Sequence, residues 1–162
     1  HRLSSAASDV YKRQMQDGII ERSAKNLEVL GTAWYQSRDL NGAVGALEAA
    51  SKVADNGNLQ ARLAGIYLDL GRSKDAYRAA SRAAKKGGVK RPDSNYLVMG
   101  NALINMNCFK DAISAFKNSL KKAKDKKSKK YPRQWIKFAE SEGSRLQKLR
   151  DVGLDIRGCG KA

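Results

Sequence analysis

The chain has 162 residues, 41% of them hydrophobic, which is enough for one domain with a modest core. Its formal net charge is +16, and its single histidine, His1, stands at the extreme end, leaving no histidine for acid–base or metal work. No run of about 18 apolar residues is present to span a bilayer. The two cysteines, Cys108 and Cys159, lie far apart without metal spacing; they leave one disulfide open and make no disulfide framework.

Residues 1–14, HRLSSAASDVYKRQ, resemble translated adapter sequence fused to open reading frames from environmental sequencing. They are expected to be a disordered, non-native segment outside the fold, with the native chain beginning upstream. The first helix proper is expected over about Ala24 to Ser37, with Leu27, Leu30, Ala33 and Trp34 on one face. Asp39 or Asn41 then caps a second helix that carries Ala43, Leu47 and Ala50. Asp55-Asn56-Gly57 is a stop and turn. Leu63, Ile66, Tyr67 and Leu70 mark the next helix, which Gly71 ends, and Ala76, Ala79, Ala80 and Ala83 line its successor.

Gly87-Gly88 and Arg91-Pro92 close that pair, since proline keeps its predecessor out of the helical region. Asp93 or Ser94 is expected to cap the next helix, with Leu97, Met99, Leu103 and Met106, before one with Phe109, Ala112, Ile113 and Phe116. Residues 121–132 read as a basic linker containing the run KKAKDKKSKK. A last helix is expected over 133–150, with Trp135, Phe138, Leu146 and Leu149 near one stripe, covering the third hairpin's open apolar face. Residues 151–162, DVGLDIRGCGKA, are glycine-rich and expected to be disordered.

These helices repeat. Leu30-Gly31, Leu63-Ala64 and Met99-Gly100 open three units; Trp34, Tyr67 and Leu103 follow at one offset, and Ala43, Ala76 and Ala112 at another. The alanines are 33 and 36 residues apart, bracketing the tetratricopeptide period of about 34 residues. Small residues stand where paired helices cross: Gly31, Ala43, Ala50; Ala64, Ala76, Ala83; Gly100, Ala112, Ser119. Small contact positions let helix axes approach to about 8–10 Å. Residues 24–120 thus resemble the tetratricopeptide family. The departures are Ala80, where a large residue is usual, and Ser73, where Leu40 and Phe109 stand in the other repeats. The resemblance implies an all-α fold: three helix-turn-helix hairpins (24–56, 57–92 and 93–120, within a solenoid spanning 15–120) stacked as a short right-handed solenoid, with a C-terminal capping helix.

ADNGNLQARLAGIYLDLGR, KKGGVKRPD and YPRQWIKFAESE are similar, more narrowly, to a proteobacterial tetratricopeptide protein found among TonB-system genes. That resemblance implies the C-terminal part of a longer protein, in a periplasmic or envelope setting, with a role in TonB-dependent uptake.

In the family, helix A of each hairpin lines a concave surface that holds a peptide or partner protein. Carried over, its positions are Lys25, Glu28, Thr32, Tyr35 and Gln36, then Arg62, Leu68 and Asp69 (with Ala61 and Gly65), then Leu97, Asn101, Ile104 and Asn105. Tyr35, Leu68, Leu97 and Ile104 would form an apolar strip flanked by the amides of Gln36, Asn101 and Asn105, suited to an extended or helical segment. The family's lysine and asparagine clamp for a chaperone's C-terminal carboxylate is not reproduced: Glu28 stands where a lysine is needed, and only Asn101 matches.

Between Lys117 and Arg150, ten lysines and three arginines face three acids. Within this stretch, Lys121, Lys122, Lys126, Lys127, Lys129 and Lys130 form a basic patch with no aromatic interleaved. Such a run attracts nucleic acid or anionic lipid without base-reading geometry, and it also serves as a solvated end. The sequence shows no Ser-His-Asp set, phosphate loop or metal cluster, and the carboxylate pair Glu140 and Glu142 points to different sides of a helix. The expectation is a non-catalytic protein-binding scaffold with no cofactor and no small-molecule substrate. The alternative is a basic adaptor for nucleic acid or membrane through residues 121–133.

Overall fold

The computed structural model describes residues 5–160. Among them are eight helices and no strand: α1 Ser5–Gln16, α2 Ala24–Gln36, α3 Leu40–Val53, α4 Asn58–Asp69, α5 Ser73–Lys86, α6 Pro92–Asn105, α7 Phe109–Lys122 and α8 Lys126–Asp151. None is long and apolar enough to cross a membrane. Helices α2–α3, α4–α5 and α6–α7 form three hairpins, each packed on the next, and α8 lies along α7.

The three hairpin turns share one backbone device. Arg38, Gly71 and Asn107 each adopt positive φ, at 69°, 71° and 59°. The following amide donates back to the carbonyl of the large residue in the unit: Asp39 to Trp34 at 2.9 Å, Arg72 to Tyr67 at 2.8 Å and Cys108 to Leu103 at 2.8 Å. The positive-φ residue donates to Tyr35, Leu68 and Ile104 respectively. This is the Schellman arrangement, which satisfies the last carbonyls of each first helix and reverses the chain.

Ser23 caps α2 through its side chain, and Asp39 caps α3, accepting from the Gly42 amide at 2.8 Å. For α6 the expected cap was Asp93 or Ser94. The helix instead starts one residue earlier at Pro92, whose missing N–H is harmless at a first helical position, and Arg91 is the cap residue. Asp93 lies in the first turn, where a carboxylate meets the positive end of the helix.

The core is built from the predicted periodic positions. Leu27, Leu30, Trp34, Leu47, Leu63, Ile66 and Tyr67, with Ala43, Ala46 and Ala50 of α3 and Ala76, Ala79 and Ala80 of α5, form one cluster; Leu103, Met106, Ala112, Ala115 and Phe116 form a second. Tyr77 and Met99 pack against both. The small α5 face lets α6 come close enough for buried Asn95 to donate Nδ2 to the Ala80 carbonyl at 2.9 Å.

Three segments differ from expectation. Residues 5–14 belong to α1, whose Met15 is buried in the first cluster and whose Tyr11 packs against it and reaches Asn26. Met15 follows Tyr11 by four positions, one helical face. Residues 1–4 lie outside the described residues. The expected linker 121–132 is instead the end of α7, a short turn and the first turns of α8, which begins at Lys126 under an Asp125–Ser128 capping box. Pro132 sits inside α8 with its ring buried, so the helix runs well upstream of Arg133. The tail to Gly160 is tied down: Arg150 donates to the Ile156 and Arg157 carbonyls, Gly160 N donates to Met106 O at 2.9 Å, and Cys159 is disulfide-bonded to Cys108.

Candidate functional site

The first helices of the hairpins, α2, α4 and α6, carry the predicted concave residues. Arg62 of α4 reaches across to α2, donating Nη1 to Thr32 Oγ1 at 2.8 Å and approaching Glu28 at 3.9 Å. Thr32 Oγ1 in turn donates to the Glu28 carbonyl at 2.7 Å. Arg62, Thr32 and Glu28 thus form one polar bridge between adjacent repeats.

Beside Arg62, a cleft of about 230 Å³ opens between α4 and α6, walled by Asn58, Ala61, Asn95 and Val98 together with Lys90 and Arg91 of the preceding linker. Asn58 is held to the α5–α6 linker, donating to Gly88 O and accepting from Lys90 N at 2.8 Å. Asn95 is 3% exposed, and its Oδ1 has no hydrogen-bond partner although Nδ2 is bonded. A buried acceptor without a partner costs about 1–3 kcal/mol. Asn101 Oδ1, further along α6, is likewise buried and unpaired.

Of the predicted residues, only Arg62 and its neighbour Ala61 wall this cleft. Lys25, Glu28, Tyr35, Gln36 and Asp69 are exposed at the surface. Asn105 is not free, since it donates to Ser73 Oγ at 3.2 Å. The apolar strip is divided: Leu68 packs on the first core cluster, Leu97 and Ile104 on the second, while Tyr35 remains exposed on α2. Leu97 also walls a different cleft, toward α7 and α8. Asn95 and Val98 were missed because they lie one step round α6 from the carried-over positions. The one local signal was an asparagine in the first turns of an otherwise apolar helix.

The basic segment has a shape that its sequence hides. Lys121, Lys122, Lys126, Lys127 and Lys130 are exposed and Lys129 is half-buried; Lys122 and Lys127 also line a cleft of about 490 Å³ shared with Lys90, Arg91, Lys124 and Tyr131. Two charged groups there are perturbed by their partners. The Asp93 carboxylate raises Arg91, and Ser128 holds Asp125 below the ordinary carboxylate range, with Lys127 and Arg91 assisting. Among the described residues, no group of three or more His, Cys, Asp or Glu side chains is placed to hold a metal.

No family model matches the chain, and no curated protein matches it. Among solved structures it is similar to the Arabidopsis OM64 TPR domain, with a TM-score of 0.59 and 21% identity over 76% of this chain and 95% of that one. The stacked hairpins, the small residues at their crossings and this likeness agree: the chain has the fold of a tetratricopeptide-repeat domain.

Proposed function

We propose that the chain is a non-catalytic scaffold that holds an extended segment of a partner protein against α4 and α6. The observation that carries this reading is the α4–α6 cleft, walled by Asn58, Ala61, Arg62, Asn95 and Val98 of the first helices of adjacent hairpins. An extended segment can lie along such a cleft, and Lys90 and Arg62 favour acidic side chains in it. The tetratricopeptide fold supports protein binding in general.

The proposed setting is the periplasm, as an accessory of a TonB-dependent transport system. Its support is the sequence resemblance, together with the Cys108–Cys159 disulfide, which suits an oxidising compartment such as the periplasm.

A peptide-display selection on the full chain tests the binding reading. Selected peptides should be rich in acids and lose about tenfold or more in affinity on Arg62→Ala, the loss expected for one charge-assisted hydrogen bond. They should keep it on Lys52→Ala, an exposed lysine of α3. Peptides indifferent to Arg62→Ala and Asn101→Ala alike would overturn the groove reading.

A further inference from the structure

Two stretches of sequence some thirty residues apart face each other across the cleft of about 490 Å³: the linker before α6, with Lys90 and Arg91, and the α7–α8 turn, with Lys122, Lys124 and Lys127. Five cations converge there from chain segments that neither hairpin periodicity nor the lysine run alone would join. Two carboxylates share the cleft, and both are already engaged. Asp93 pairs with Arg91 at 3.3 Å, and Asp125 accepts from the Ser128 amide at 2.8 Å as the cap of α8. Among the described residues, no ion pair joins any of the four lysines to an acid.

The chemistry favours phosphate over carboxylate. Lysine ammoniums are point charges suited to phosphate oxygens, whereas planar bidentate recognition of a carboxylate uses arginine, and Arg91 is taken by Asp93. Pro92, Asp93 and Ser94, the first turn of α6, form part of the wall, and no side chain caps that turn. Its backbone N–H groups add to the positive field. Tyr131, 57% exposed, stands at the rim. The volume lies within the range of about 300–1,000 Å³ typical of small-ligand sites. The five cations are exposed but line a concave opening, which a compact oligophosphate can enter and a flat bilayer cannot follow.

We propose that this cleft binds the oligophosphate group of a soluble small ligand. The site shares Lys90 and Arg91 with the α4–α6 cleft and is distinguished from it by Lys122, Lys124 and Lys127, so the Lys122→Gln, Lys127→Gln pair should weaken oligophosphate binding and leave peptide binding unchanged.

The test is calorimetric titration of the full chain with inorganic tripolyphosphate. One site per chain is expected. Lys122→Gln with Lys127→Gln, and separately Lys90→Gln, should each weaken binding by about tenfold or more, the loss of one charge-assisted contact. A control pair, Lys52→Gln with Lys110→Gln, removes equal charge elsewhere on the surface and should leave affinity within about twofold, as for exposed charges at a distance. Thermal melts establish that each variant is folded. The proposal is overturned if tripolyphosphate does not bind, or if the control pair weakens binding as much as the cleft variants. It is equally overturned if hexaglutamate binds as tightly, or if phosphatidylglycerol vesicles bind while tripolyphosphate does not.

Discussion

Gly100 lies directly against the ring of Phe116. A Cβ at position 100 would come within 2.6 Å of Phe116 Cδ1 and Cζ, closer than real side chains pack. Gly31 has the same relation to Leu47, whose Cγ would be 2.6 Å from an added Cβ. In both hairpins, therefore, the glycine of the first helix is the socket for a wholly buried side chain of the second. Tetratricopeptide spacing thus reflects a packing requirement at each crossing.

Gly100→Ala should destabilise the chain by about 1–3 kcal/mol through overpacking, although alanine is the better helix former. Gly31→Ala should cost less, because a leucine yields more readily than a ring. Gly65, in α4 with nothing within 4 Å of an added Cβ, is the matched control. Gly65→Ala should stabilise by about 0.5–1 kcal/mol. Urea denaturation midpoints of the three variants check the ordering.

The hairpins were legible because each crossing demands a small residue at a fixed offset from a large one, and Gly31–Leu47 and Gly100–Phe116 show those offsets at work. α1 is illegible for a different reason: residues 1–14 have the character of a non-native segment, although Tyr11 and Met15 have helical spacing and pack on the first cluster. The start of α8 was hidden because a lysine run and Pro132 both read as loop, while what decides the matter is the Asp125–Ser128 cap and burial of the proline ring against the hairpin. The clefts were hidden more deeply. Asn95 depends on how closely α6 approaches Ala80, and the basic cleft depends on a linker and a turn meeting in space; neither is a property of local sequence.

The three turns offer a second test. Gly71 occupies its positive φ without penalty, but Arg38 at φ 69° bears a side chain there. Arg38→Gly should raise stability by about 0.5–1 kcal/mol, or roughly 1–4 °C in Tm for a chain of this size. Asn107→Gly should gain less, since asparagine tolerates the left-handed region. Calorimetric melting at neutral pH distinguishes the two.

The Cys108–Cys159 bond closes a loop spanning a sequence separation of 51 and fastens the tail to the α6–α7 turn. Reduction, or Cys159→Ser, should lower stability by about 2–4 kcal/mol, the usual range for a disulfide closing a long loop. The loss should fall first on the tail: amide exchange at Gly160 should accelerate before α6 and α7 are affected. Equal exchange at Gly160 in both redox states would show that the Met106 carbonyl holds the tail unaided.

Tyr67 gives a pH dependence whose sign is fixed by its surroundings. Its ring is 3% exposed and its hydroxyl donates to the Glu48 carboxylate, while the Arg72 guanidinium lies 4.6 Å from the ring centroid. Burial first, then the Glu48 hydrogen bond and charge, push the phenol well above its ordinary value of 10.0, and Arg72 only partly opposes them. The unfolded chain therefore releases this proton at lower pH than the folded one. The stability it contributes is complete below about pH 10 and drains away above it, by up to about 1.4 kcal/mol per pH unit. Tyr67→Phe should cost about 1 kcal/mol at neutral pH for the lost hydrogen bond, because Glu48 is exposed and is rehydrated. The gap between wild type and variant should then narrow as pH rises past 10, and denaturation midpoints measured from neutral pH to about pH 11 give the result. A gap that widens over that range would mean that the phenolate is favoured in the fold, with Arg72 outweighing Glu48.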